Sequence, residues 1–199
     1  MQPCHPKHVP NFWLMTDERQ GEDLWRALGA LPRGAGVIVR HYRWPLPARR
    51  ALFARIERVA RQNGLVVIRA GADRLSWREQ GLHGRMPGGR GNVIRTWPAH
   101  NLREILAGIR AGADAILVSP IFATRTHPDS PALGISRAGL MVNIACATHP
   151  SAKLIALGGV NAQNFRQLRQ IGFDGWAGID GWLQPAGANR SKFPLRTAK

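Results

Sequence analysis

Three stretches of the chain bring together residue types suited to recognising an anion. The first is Ala156-Leu157-Gly158-Gly159-Val160-Asn161, a double glycine between an apolar run and an asparagine able to cap a helix. Glycine lets a backbone turn sharply and approach a ligand closely, and N–H groups at a helix start favour phosphate. The same pair also serves as a plain strand-to-helix turn, so both readings stand. The second stretch is Ser119-Pro120-Ile121-Phe122-Ala123-Thr124-Arg125-Thr126-His127-Pro128, in which Thr124 and Thr126 flank an arginine. Hydroxyl and guanidinium groups together recognise carboxylate or phosphate. The third, Gly175-Trp176-Ala177-Gly178-Ile179-Asp180-Gly181, again sets small residues at the end of an apolar segment.

Each stretch lies at or just beyond the end of a strand-like run, and that tells what must position it. Strand-like runs occupy 12–16, 36–40, 65–68, 80–83, 93–96, 115–118, 153–157 and 175–179. Helical patterns lie between most of them. One surrounds residues 24–28, and another runs from Pro47 through Leu52, Phe53, Ile56, Val59 and Ala60 to Gly64. Leu102, Ile105, Leu106 and Ile109 mark a third helix, ended by Gly112. Ser136 is expected to cap a fourth, and Asn161 a fifth that carries Phe165, Leu168 and Ile171 and closes at Gly172.

Such alternation implies a parallel sheet with helical crossovers, and about eight strands predict an α/β fold, a closed (β/α)8 TIM barrel. The active site is then expected at the C-terminal strand ends. At 199 residues the chain is short for this architecture, which typically needs about 250. A compact barrel follows. The glycine-rich run 84–91 leads directly into the next strand, so the helix after strand 4 is expected to be missing or very short. The reading divides the chain into an N-terminal tail at 1–11, the barrel at 12–183 and a polar, proline-containing C-terminal tail at 184–199.

The composition narrows the function classes. A hydrophobic content of 44% fits one globular domain. Cys4 and Cys146 lie far apart and suggest neither a disulfide framework nor a metal site, which points to a reducing cytoplasm. No run of eighteen apolar residues exists, and the N-terminus lacks the apolar centre of a signal peptide, so no membrane partner is expected. The net charge of +16 comes mainly from arginine, since Lys7, Lys153, Lys192 and Lys199 are the only lysines. The arginines are spread through every segment without clustering. That favours solvated helix faces over a nucleic-acid surface, while leaving cations for a phosphorylated ligand.

The order of these features carries a resemblance. The run from Gly112-Ala113-Asp114 through Ser119-Pro120-Ile121-Phe122 to Thr124-Arg125-Thr126 is similar to the signature of the thiamine-phosphate synthase family. The Gly158-Gly159 turn and the final small-residue strand follow at matching distances. Met15-Thr16-Asp17 and Val37-Ile38-Val39-Arg40 resemble the family's first two strand ends. The resemblance covers residues 12–183 and is specific in the second half. It implies a TIM-barrel transferase of thiamine biosynthesis that uses Mg2+. Such an enzyme joins hydroxymethylpyrimidine diphosphate to thiazole phosphate and releases pyrophosphate. Its partners are phosphorylated small molecules, and a homodimer is compatible with it.

On this resemblance Arg40 matches the arginine that holds the pyrimidine diphosphate, Thr124 and Thr126 the paired threonines, and His127 the lysine after them. Gly158 and Gly159 match the phosphate-binding turn. Ile179 and Asp180 occupy the final turn, where the family usually has a serine; Asp180 must point away from a phosphate or have an arginine beside it. The metal positions differ. The family's Asn-Asp after strand 3 is Ile68-Arg69-Ala70 here, and its His-x-Gly-Gln-x-Asp after strand 4 is His83-Gly84-Arg85-Met86-Pro87. Neither magnesium aspartate is visible, so no metal ligand is assigned, and Arg69 and Arg85 are expected to neutralise pyrophosphate instead. Asp73 is the nearest spare carboxylate. Ile38 and Tyr42 stand where the family has glutamine and lysine, and Pro98 where it has a serine. A related branch, the thiazole tautomerases, needs neither pyrophosphate nor metal and uses a histidine after strand 5, which His100 matches in position. The same substitutions would also suit a phosphate-binding barrel without catalysis.

Overall fold

Eight strands pair in parallel and in chain order: β1 (Phe12–Met15), β2 (Gly36–Val39), β3 (Val66–Ala70), β4 (Gly81–His83), β5 (Ile94–Ala99), β6 (Ala115–Val118), β7 (Lys153–Leu157) and β8 (Gly175–Gly178). β8 returns to β1, with Phe12 opposite Trp176, so the sheet closes into the expected (β/α)8 barrel. The computed structural model describes residues 8–85, 93–124, 131–148 and 152–183. The period of two along each strand sorts the core. Trp13, Met15, Ile38, Ile68, Ala70, Ile94, Ala115, Leu117, Ile155 and Ala177 pack inside the barrel. Their neighbours Leu14, Val37, Val67, Ile116, Val118, Leu154 and Trp176 face outward into the helical layer. Trp13 fills the interior against Gly36, where a Cβ would lie 2.2 Å from the indole ring, so this position accepts only glycine.

Five α-helices are described: α1 (Asp23–Ala30), α2 (Leu46–Asn63), α3 (Leu102–Arg110), α4 (Gly134–Thr148) and α5 (Phe165–Gln170). In α2, Pro47 sits in the first turn, Leu52, Phe53, Ile56 and Ala60 are buried, and Gly64 ends the helix at φ +63°. Asn101 caps α3 by accepting from the Glu104 N–H. Ser136 does not cap α4, which already begins at Gly134. The Asn161 side chain caps the turn ahead of α5, accepting from the N–H groups of Gln163 and Asn164.

The barrel economises on helices at one more place than the sequence indicates. Residues 71–80, between β3 and β4, contain no helix. Leu75 is buried there, and Glu79 pairs with Arg69, so this loop covers the outer face of β3. Only residues 84–93 separate β4 from β5, and 86–92 lie outside the described residues. Beyond β8, Trp182 stacks on Trp176 at 4.1 Å and donates its Nε1–H to the Trp13 carbonyl, which covers the outside of β8 with an aromatic plate.

The N-terminal end of the barrel is fastened by two matching clamps. Asp114 donates its N–H to the Arg95 carbonyl while its carboxylate accepts from the Arg95 N–H. Asp174 does the same to Leu154. The aspartate of the Gly-Ala-Asp motif is thus a structural fastener, far from the opposite end where strands terminate. Residues ahead of β1, read as a tail, are held against this end. The Lys153 ammonium reaches the Val9 carbonyl and the Asn11 side chain, and Trp13 donates to the Pro10 carbonyl. No helix among the described residues is long and apolar enough to cross a membrane.

Candidate functional site

Because every strand is parallel, all eight C-terminal ends open on one face, and that mouth receives Arg40, His100, Thr124, Gly158, Gly159, Ile179 and Asp180. The β1–β2 side is the most heavily built. Thr16 is fully buried, and its Oγ1 accepts from the Arg40 N–H at 3.0 Å and contacts His41 Nδ1 at 3.0 Å. The Thr16 carbonyl accepts from Arg40 Nε, and Asp17 pairs with the far end of the same guanidinium at 2.7 Å. Burial would push the Asp17 carboxyl up, but hydrogen bonds from Arg19 and the Arg40 charge together hold it below the usual range. Gln20 closes the corner by donating from Nε2 to the Ile179 carbonyl, tying the β1 loop to β8. Arg19 is held by its hydrogen bond to Asp17 and lies within the field of exposed Asp180.

The barrel interior adds a second group. His83 and Thr96 are paired in register across β4 and β5, both inward, and His83 Nδ1 lies 2.8 Å from Thr96 Oγ1. Burial, aided by the Arg40 charge, pulls the His83 pKa down to about 4, so its imidazole is neutral at ordinary pH. Ala70, at the end of β3, is paired in register with His83 and is fully buried.

At the β5–β6 side, His100 Nδ1 lies 2.8 Å from the Ser119 carbonyl. A carbonyl only accepts, so Nδ1 carries a proton and donates it to Ser119, which leaves Nε2 as the other ring nitrogen. Arg85 does not stand free for pyrophosphate: its guanidinium is 2.6 Å from Glu104, which also accepts from the His100 N–H. Burial raises Glu104, and these two donors outweigh it and lower its pKa. Arg69 is a clearer correction. Its side chain points out of the barrel, on the same face as Val67, and binds Glu79 and the Gly71 carbonyl. The period of two along β3 sends it away from the mouth.

The double-glycine turn is shaped by the loop above it. Gly158 and Gly159 have φ of +91° and +63°, and a Cβ at Gly159 would meet the Ala123 carbonyl at 2.7 Å. The Phe122 N–H donates to the Gly158 carbonyl, so the β6 loop carrying Thr124 rests directly on the turn. Thr126 and His127 lie outside the described residues. Sequence reasoning gave no role to His41, Arg49, His83 or Thr96. Strand parity alone would have placed His83 and Thr96 inside with Ile94. A cavity of about 430 Å3 lies at the opposite end of the barrel, lined by His8, Val66, Trp77, Gln80 and Ile94, and shares no residue with the mouth.

Magnesium calls for hard oxygen ligands, commonly one or two carboxylates besides ligand phosphates. The described residues do not fit it. Ala70, His83 and Arg85 occupy the strand 3 and strand 4 ends, Asp73 lies 3.5 Å from Arg49, and Asp17 is bonded to two arginines. No cluster of three metal-binding side chains occurs among them.

Residues 92–181 match the family profile described as thiamine monophosphate synthase. The second half of the chain is therefore similar to thiamine-phosphate synthases. It is 42% identical over 88 residues to the thiamine-phosphate synthase of Chloroflexus aurantiacus, a match spanning 44% of this chain and 38% of that one. With the enzyme of Pyrococcus furiosus it shares 28% over 105 residues, or 53% of this chain and 48% of that one. These matches thus span less than half the length of those relatives. The solved thiamine phosphate pyrophosphorylase of Pyrococcus furiosus superposes with a TM-score of 0.69 at 21% identity, covering 87% of each chain, and this likeness shows the fold.

Proposed function

We propose that the mouth binds phosphorylated small molecules and that the chain is a transferase of the thiamine-phosphate synthase type. The supporting observation is that Arg40, the Gly158–Gly159 turn and the Ile179 end of β8 share one face of a barrel whose second half matches that family. In the proposed reaction the C–O bond of the pyrimidine diphosphate breaks and pyrophosphate leaves with the electron pair. The thiazole nitrogen then forms a C–N bond to the methylene carbon. Arg40, held by Thr16 and Asp17, offers a preorganised positive charge to the leaving group. The glycine turn brings backbone close to the phosphate of the thiazole partner. Neutral His83 and Thr96 line the interior as uncharged hydrogen-bonding groups. A reducing cytoplasm is the compartment this reading expects, with Cys146 a free thiol.

One observation favours a second reading, a thiazole-phosphate isomerase. The Nδ1 proton of His100 is fixed on the Ser119 carbonyl, which readies Nε2 to move a proton. Calorimetric titration with thiazole phosphate, pyrimidine diphosphate and thiamine phosphate separates the two. The transferase reading expects binding of all three, and the isomerase reading binding of thiazole phosphate alone. His100→Gln should abolish thiazole isomerisation under the second reading and leave the transfer reaction in place under the first.

A further inference from the structure

A buried cation with no part in the proposed reaction sits directly behind the mouth. Arg49, in the first turn of α2, is only 4% exposed. An arginine remains in such a place when partners satisfy it. Its Nε donates to the Arg40 carbonyl at 3.1 Å, its terminal NH2 to the Ala70 carbonyl at 2.9 Å, and its other terminal nitrogen lies 3.5 Å from the Asp73 carboxylate. The Tyr42 ring covers it at 5.6 Å. One guanidinium therefore joins the ends of two neighbouring strands and the loop that follows β3.

These contacts bear on Arg40 in particular. Thr16 holds the Arg40 N–H and its side-chain Nε, while Arg49 holds the Arg40 carbonyl from the other side. The next residue, His41, has φ of +45°, a left-handed backbone uncommon for any residue but glycine. The backbone bend that presents Arg40 is thus held by neighbours on both sides.

We propose that Arg49 is a positioning residue of the mouth: it locks Arg40 and the end of β3 into one geometry, so that the Arg40 guanidinium meets an anionic ligand ready-aimed. This rests on the reading of Arg40 as the anion-binding group. Lysine cannot replace it, because a single ammonium lacks the planar fork that spans two carbonyls.

The test uses the full chain, with inorganic pyrophosphate as the probe, and compares it with Arg49→Lys, Arg49→Met and Arg40→Ala. Calorimetry reads pyrophosphate affinity, thermal melts read folding, and amide hydrogen exchange reads the mouth itself. Both Arg49 variants should melt cooperatively, with exchange at Arg40 and Gly71 faster by about tenfold or more and exchange at Lys153 and Asp174 unchanged. Pyrophosphate affinity should fall about tenfold with lysine and further with methionine, the cost of a misaimed group. Should Arg49→Met fail to fold, Arg49→Lys decides. Unchanged Arg40 exchange in the folded variants overturns the proposal, as does unchanged affinity in both while Arg40→Ala abolishes binding. Absence of pyrophosphate binding by the unsubstituted chain overturns the reading of Arg40, and the exchange data still decide whether Arg49 positions it.

Discussion

His83 is the mouth residue whose protonation the fold controls most strongly. Its pKa in the fold is about 4, against an ordinary value of 6.5. Between those values the unfolded chain binds the proton that the folded chain refuses, so stability rises with pH across that window. The contribution is present above about pH 6.5 and is lost as pH falls through about 4, with an upper size on the order of 3 kcal/mol. His41, also lowered by burial, works in the same direction. His83→Gln, which keeps a partner for Thr96, should flatten the acid side of the stability profile. Denaturant melts from pH 7 down to 4.5 check this, and an unchanged slope would show that His83 is not buried in neutral form. The Arg69 and Arg85 assignments show what single residues conceal. Their types fit pyrophosphate, but Glu79 and Glu104 reach them through loop and helix contacts that no local pattern encodes. Arg49 was invisible for the same reason, lying in a helix whose remaining arginines are largely exposed.

Among the elements, strand runs and the faces of α2 and α3 were readable because burial imposes a period, two for strands and 3.6 for helices. The missing helix after β3 was not, since a loop held by Leu75 and an ion pair has no period. The double-glycine turn was legible as a turn, and the structure adds the reason for both glycines. Gly159→Ala places a methyl against the Ala123 carbonyl in a left-handed backbone, and should cost about 1–3 kcal/mol. Asp174→Ala should also cost about 1–3 kcal/mol by stripping the Leu154 N–H of its partner at the barrel's other end. Urea melts measure both. The two variants should differ in ligand binding: Gly159→Ala weakens thiazole phosphate, and Asp174→Ala leaves it unchanged wherever the chain is folded. Equal loss of binding in both would mean that the turn acts only through stability.

At the scale of the whole molecule, 28 basic residues face 12 acidic ones, and several of the acids already serve the ion pairs around the mouth. The excess positive field draws anions toward the barrel, and salt screens it over about 8 Å at physiological ionic strength. Association of pyrimidine diphosphate should therefore slow as salt rises from 50 to 500 mM, estimates set by that screening length. Stopped-flow association rates test it; rates independent of salt would confine the charge to solubility. On the proposed function the Arg40 guanidinium holds the diphosphate where the described residues offer magnesium no fitting carboxylates. A turnover assay with pyrimidine diphosphate and thiazole phosphate tests it most directly, run with magnesium and with excess chelator on the chain and on Arg40→Ala. Thiamine phosphate is expected in both conditions, with a loss of about 100-fold in Arg40→Ala, the scale of removing one preorganised electrostatic contact. Activity abolished by the chelator and unaffected by Arg40→Ala would contradict it.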